Sequence, residues 1–175
     1  GESEIEYSSR LAHRLESLII SEGPETIAAF FAEPVMGAAG GVVPPDGYFD
    51  KVQSVLRKYD ILFVVDEVIC GYGRTGRMWG SETYSIQPVI LTTAKALSAA
   101  ALPISAVMVN DKIYQAMLDE SEKLGSFAHG FTYAGHPVSA AVAVETLKIY
   151  EEIDVVKLAQ EKGEILAQTL MPAKD

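Results

Sequence analysis

The sequence has one cysteine, Cys70, one tryptophan, Trp79, three histidines and no apolar run of membrane-spanning length. A lone thiol excludes an internal disulfide, so the fold must rest on its apolar core, and a reducing cytoplasm is the simplest setting. His13, His129 and His136 supply no ligand set at zinc spacing, because the last two lack a third partner. Basic charge is also scarce, with 14 Lys and Arg against 24 Asp and Glu and a net charge of −10. Nucleic acid is therefore not an expected partner, since binding it takes a basic face that displaces counterions. The missing apolar run argues likewise against a membrane-spanning helix and a signal peptide. There is no internal repeat and no low-complexity linker.

What is present fits one domain, since 175 residues of 49% hydrophobic content can bury a sizeable core. Ser3 and Glu6 are spaced as a capping box for a first helix, with Tyr7, Leu11, Leu15, Leu18 and Ile19 as its apolar stripe. Gly23-Pro24 ends it, and T-I-A-A-F-F-A-E reads as a strand. Glu33 and Pro34 then open a glycine-rich loop closed by Pro44 and Pro45. A helix bearing Tyr48, Phe49, Val52, Val55, Leu56 and Tyr59 leads into the run I-L-F-V-V-D, short and β-branched enough to be a strand buried on both faces. Strand, helix, strand is a βαβ unit, right-handed and parallel in nearly all cases. V-I-L-T-T and I-S-A-V-M-V-N add two strands, and Asn110 or Asp111 caps the helix that follows. Two amphipathic helices complete an α/β fold with a mostly parallel sheet flanked by helices.

Two residues at strand ends carry the chemistry. Asp66 closes one strand and Lys95 follows the next, 29 positions on (95 − 66), which is room for one crossover between neighbouring strands. Ligands of open α/β sheets collect at the carboxyl ends of strands. A lysine among small residues at such an end is expected to be desolvated and to present a neutral amine that attacks a carbonyl. Either residue alone has a plain structural reading as a turn former or solvated end. Together they match what a pyridoxal 5′-phosphate (PLP) site needs, a Schiff-base lysine and an acid against the ring nitrogen. The G-Y-G-R-T-G run after Asp66 has the letters of a dinucleotide fingerprint, but such a motif must open a helix directly, and Met78-Trp79-Gly80 continues as loop. Val68, two residues past Asp66, shares its side if the chain stays extended. Tyr72, Trp79 and Tyr84 are candidates for a substrate channel or for packing.

The stretches D-E-V-I-C-G-Y-G-R-T-G, M-W-G-S-E-T-Y and T-T-A-K-A-L-S resemble the class III aminotransferases of PLP fold type I. The resemblance extends back to F-F-A-E-P-V-M-G and forward to H-G-F-T-Y-A-G-H-P, and its wording is most similar to the ω-amino acid and amine:pyruvate transaminases. It implies that Lys95 holds PLP, Asp66 faces the ring nitrogen and Val68 touches the ring face. It further implies that Thr132 reaches the phosphate held by a neighbouring subunit, and that Glu33, in the E-P-V-x-G segment, supports the cofactor site. The expected reaction moves an amino group from an amine or ω-amino acid to a keto acid such as pyruvate, in a homodimer or larger homo-oligomer. A decarboxylase or aminomutase of the same class would share Asp66 and Lys95, and a non-catalytic binding or assembly piece would keep the core without turnover. No segment matches the family's Ser/Gly-rich phosphate cup or its smaller C-terminal domain. Residues 1–175 are therefore expected to be the central portion of the PLP-binding large domain, weakly loaded with cofactor when isolated.

Overall fold

The computed structural model describes residues 1–170. Helix α1 (Glu4–Glu22) starts at the capping box: the Glu6 amide donates to Ser3 Oγ at 3.3 Å, and the Ser3 amide donates to Glu6 Oε2 at 2.8 Å. Its buried face matches the expected stripe at Leu15 and Ile19 and departs from it at Tyr7 and Leu18. Ser8, Ala12 and Ile19 are buried, whereas Tyr7 and Leu18 are exposed. Small residues win here because α1 lies close against its neighbours, and Ser8 Oγ donates to the Asp46 carbonyl at 2.8 Å.

Strands β1 (Ala29–Ala32), β2 (Leu62–Asp66), β3 (Ile90–Thr93) and β4 (Ala106–Val109) form one sheet in the order β1-β2-β3-β4. The first three are parallel, with Ala32 beside Val65 and Asp66 beside Thr92. β4 runs antiparallel to β3, with Leu91 beside Met108, so the sheet is mixed at one edge and parallel elsewhere. Helix α2 (Tyr48–Lys58) makes the β1-to-β2 crossover. Successive residues of a strand face opposite ways, and Val64 and Val65 are 2% and 0% exposed, so β2 is covered on both faces as a central parallel strand should be.

The main core joins α1, α2 and one face of the sheet through Ile19, Phe49, Val52, Leu56, Phe63 and Val65. After β2 the chain passes through glycine-rich turns to a short helix α3 (Gly80–Thr83). Helix α4 (Asp111–Leu124) is capped by Asn110, whose Oδ1 accepts from the Ile113 amide at 3.1 Å. Helices α5 (Pro137–Glu152) and α6 (Val155–Leu170) follow. A second cluster, centred on Tyr72, Leu97 and Ala143, packs α5 beneath the turn after β3.

Phe63 is the aromatic hub of the main core, with ring centroids 5.5 Å from Phe30 and 6.1 Å from Phe49. Phe63→Ala is expected to remove about 3–5 kcal/mol of stability through lost transfer energy and a residual cavity. Urea unfolding of the complete protein measures this, and a loss below about 1 kcal/mol would show that the hub collapses to refill the space.

Candidate active site

The site begins with register. Asp66 pairs with Thr92 across parallel strands, and the Glu67 amide continues the ladder by donating to the Thr92 carbonyl at 2.9 Å. Lys95 therefore leaves β3 three residues beyond the partner of Asp66, at the same carboxyl edge of the sheet. Glu33 reaches that edge as well, one residue past the Ala32–Val65 pair. Its Oε2 accepts from the Gly37 amide at 3.0 Å, so its observed bond closes the loop that opens there. A groove of about 490 Å³ runs along this edge and includes Glu33, Asp66, Phe31 and Tyr48 in its walls. Lys95, Val68 and Thr132 are not among its walls. A larger hollow of about 940 Å³ is walled by α1 alone, from Glu6 to Ser21, and is an open helix face remote from the strand ends.

Asp66 is half-buried, and its Oδ1 accepts from the Val68 amide at 2.9 Å. That bond bends the chain, so Val68 lies in a turn and the extended geometry that would put it on the same side as Asp66 is not met. Val68 stays beside Asp66 for a different reason, the side-chain clasp on its own amide. Among the described residues Asp66 makes no other side-chain hydrogen bond and no ion pair, which leaves its second oxygen free for a ligand.

Lys95 begins a tight 3-10 turn, Lys95–Ser98, with φ of +38°, a left-handed conformation that costs an L-residue of order 1–2 kcal/mol. Ala99 and Ala100 are also left-handed, at 49° and 63°, so strain gathers in this segment. The Lys95 side chain is exposed, which corrects the expected desolvation: the described residues do not bury it. It makes no ion pair or side-chain hydrogen bond among them, so its amine is not committed to a structural partner. Two positions earlier, Thr93 is 1% exposed and its hydroxyl has no hydrogen-bond partner among the described residues.

Sequence reasoning passed over Glu67. It is 0% exposed, and its carboxylate accepts from the Gly80 amide at 2.9 Å and the Ser81 amide at 2.7 Å. The acid next to Asp66 is thus consumed in tying the strand end to α3. Gly80 has to be glycine for this approach, because a Cβ there would stand 2.7 Å from the Cβ of Cys70 and 2.8 Å from that of Pro34. The signal in the sequence was an acid followed 13 positions later by a glycine and a serine, too diffuse to read. Cys70 is buried, with Sγ 3.3 Å from the Val35 carbonyl, and burial raises its thiol above the ordinary range, so it is no nucleophile.

The aromatic residues resolve as packing. Tyr72 is buried against Trp79 at 4.9 Å, and Tyr84 lies 5.8 Å from Phe49. Burial raises the Tyr72 phenol, with the nearby Thr93 hydroxyl working the other way. Thr132 sits in an exposed turn, where its side chain makes no hydrogen bond among the described residues. The structure does not bring it to the Asp66 edge of its own chain. Among the described residues no group of His, Cys, Asp and Glu is arranged to hold a metal ion, and no helix is long and apolar enough to cross a membrane.

The mostly parallel sheet flanked by helices is the α/β architecture of PLP fold type I, the fold of its structural neighbours. The family model for class III aminotransferases matches residues 2–175, and the chain belongs to that family. It is 60% identical over 158 residues to a vanillin aminotransferase of Capsicum frutescens, covering 90% of this chain and 34% of that protein. It is 59% identical over 157 residues to a chloroplastic γ-aminobutyrate transaminase of Solanum lycopersicum, covering 90% of this chain and 30% of that one. An ω-transaminase of Pseudomonas jessenii solved in complex with PMP superposes with a TM-score of 0.98 at 51% identity, covering all of this chain and 39% of its own. The chain thus spans about a third of the length of the curated relatives it matches. Class III aminotransferases depend on PLP.

Glu67→Gln tests the buried clasp. The substituted amide turns an N–H toward an N–H donor of α3, which should cost about 1–3 kcal/mol in unfolding free energy. Unchanged stability in urea titration would mean that Gly80 and Ser81 find other acceptors.

Proposed function

We propose that this chain supplies the lysine- and acid-bearing part of a PLP-dependent transaminase that moves an amino group from a primary amine or ω-amino acid to a keto acid such as pyruvate. The observation that carries the reading is the pairing of Asp66 with Thr92, which puts an acid with one free oxygen and a strained, uncommitted lysine on one sheet edge. Donor and acceptor chemistry come from relatives. Those named vanillin aminotransferase and γ-aminobutyrate transaminase support an amine carried on a terminal carbon, and a transaminase solved with L-alanine, at 53% identity, supports pyruvate, the keto acid of alanine.

The donor set suits the cofactor. Lys95 Nζ would hold its aldehyde carbon, Asp66 would hold a proton on its ring nitrogen, and Val68 would lie against its ring. When bound, PLP supplies an electron sink for the pair of electrons left on carbon when a proton departs. Asp66 contributes a fixed negative charge aimed at a developing positive one, held in place by the Val68 amide so that it need not reorganise during reaction. Lys95, once its amine is free, is the base that takes the proton from the amine-bearing carbon of the substrate. Glu33 steadies the loop at the same edge through the Gly37 amide.

The same reading makes the segment the central portion of a PLP-binding large domain and the working unit a homodimer. Phe131 and Tyr133, which flank Thr132, are 77% and 83% exposed, a degree of aromatic exposure that suits a covered surface in the assembly. Thr132 in that loop would serve the phosphate bound by the partner. A cytoplasmic setting belongs to this proposal; relatives named as chloroplastic and mitochondrial make cell fractionation the measurement that decides it.

In the complete protein, Lys95→Ala is expected to abolish alanine formation from pyruvate and an amine donor. Borohydride reduction of the unmutated protein followed by peptide mapping should find the pyridoxyl group on Lys95, and its appearance on another lysine would refute the assignment. Asp66→Asn keeps an oxygen for the Val68 amide while removing the charge, and turnover should fall on the order of 10²-fold. Turnover within about twofold of the parent would remove Asp66 from the mechanism.

A further inference from the structure

We infer that Tyr150 is a positioning residue for Lys95, acting from the far end of α5 through the backbone of the turn that Lys95 begins. The inference rests on Lys95 being the cofactor lysine, as proposed above. Tyr150 lies 54 positions beyond Ala96, and its hydroxyl donates to the Ala96 carbonyl at 2.8 Å. Among the described residues this is the one side-chain hydrogen bond that any other element makes to Lys95–Ser98. The Ala96 carbonyl also accepts from the Ala99 amide at 3.2 Å, inside the turn. Tyr150 therefore reinforces the peptide next to Lys95 from outside.

That peptide needs reinforcement. Lys95, Ala99 and Ala100 are all left-handed, and a run of strained residues persists only where surrounding structure over-determines it. Leu97 packs against Tyr72 and Ala143, but the turn's own hydrogen bonds are local: Ser98 Oγ donates to the Leu102 carbonyl at 2.6 Å, and the Leu97 amide donates to the Ala94 carbonyl at 2.8 Å. Neither relates the turn to the rest of the molecule. Tyr150 does, because its ring packs 6.1 Å from Tyr72 in the loop that follows Asp66. One side chain thus touches the segment after the acid and the segment of the lysine. Burial raises its phenol above the ordinary value, so the hydroxyl stays protonated and able to donate at neutral pH. The neighbouring helix supports the same arrangement: Gln160 Nε2 donates to the Gly76 carbonyl at 2.7 Å, pinning the other side of the loop.

Tyr150→Phe in the complete protein deletes the hydroxyl and keeps the ring. Turnover should fall about fivefold to tenfold, the scale of one net hydrogen bond, with KM within about twofold. A second readout needs no turnover. In the apoprotein, competitive acylation followed by mass spectrometry should show Lys95 reacting at a rate changed at least threefold relative to the other lysines. Ile19→Val, which loosens the α1–α2 core remote from the turn, is the control for general destabilisation and should leave the relative Lys95 rate unchanged. If Tyr150→Phe matches the parent in both turnover and Lys95 reactivity, or if Ile19→Val reproduces its effects, the positioning role is overturned. Borohydride mapping separates this from the broader reading: pyridoxyl on Lys95 in parent and variant alike upholds the lysine whatever Tyr150 does.

Discussion

The pairing of Asp66 with Thr92 across two parallel strands is the constraint from which the candidate site follows. Strand side chains alternate, so a slip of one residue would turn Asp66 to the opposite face and shift Lys95 along the edge. Burial forbids the slip. Val64 and Val65 are both nearly inaccessible, one on each face, and Glu67 extends the hydrogen-bond ladder past the end of β2. The site's geometry is therefore secured by packing that contains no chemistry of its own.

Two adjacent acids divide the work at that strand end. Asp66 keeps an oxygen free, whereas Glu67 is buried and accepts from two amides of α3. Hydrogen bonds to a charged group contribute about 1.5–3 kcal/mol each, while burying a carboxylate costs several kcal/mol. The two effects nearly cancel, so the clasp adds little net stability. Its effect is positional: it fixes where the chain goes after Asp66. Removing either side leaves the other buried without a partner, which makes the arrangement intolerant of change even though it stabilises weakly.

Much of this was legible in the sequence, and the exceptions share a cause. The β2 run, the Asp66–Lys95 spacing and the α1 cap depend on local pattern, and each has its counterpart in the fold. The α1 stripe holds at Leu15 and Ile19, which join the core, and fails at Tyr7 and Leu18, which are apolar yet exposed, while Ser8 is buried and bonds to Asp46, 38 positions away. The condition placed on Val68, that the chain stay extended past Asp66, fails because nothing in a linear pattern announces that the Asp66 side chain will bend its own backbone. The burial of Glu67 and the exposure of Lys95 both depend on which segments fold over the strand ends. Periodicity reports which face of an element is apolar; it does not report what will cover it.

The Lys95 edge and the Thr132 loop are held by different means. Around Lys95 the backbone is strained, and side chains from residues 150 and 160 reach back 54 and 84 positions to secure the turn and the loop beside it. Strain of that kind is compatible with a defined amine position only when long-range contacts oppose relaxation, and here they do. Among the described residues the loop from Gly125 to His136 has no such hydrogen bond from a distant side chain. Its residues are exposed, and its aromatic contacts, such as the rings of Phe127 and His129 at 5.7 Å, are internal to it. A threonine on such a loop acquires a fixed position only from a surface that the loop does not itself provide. The positions of Lys95 and Asp66 are thus set by contacts within this chain, whereas the Thr132 loop, among the described residues, draws no comparable support from the elements that hold them.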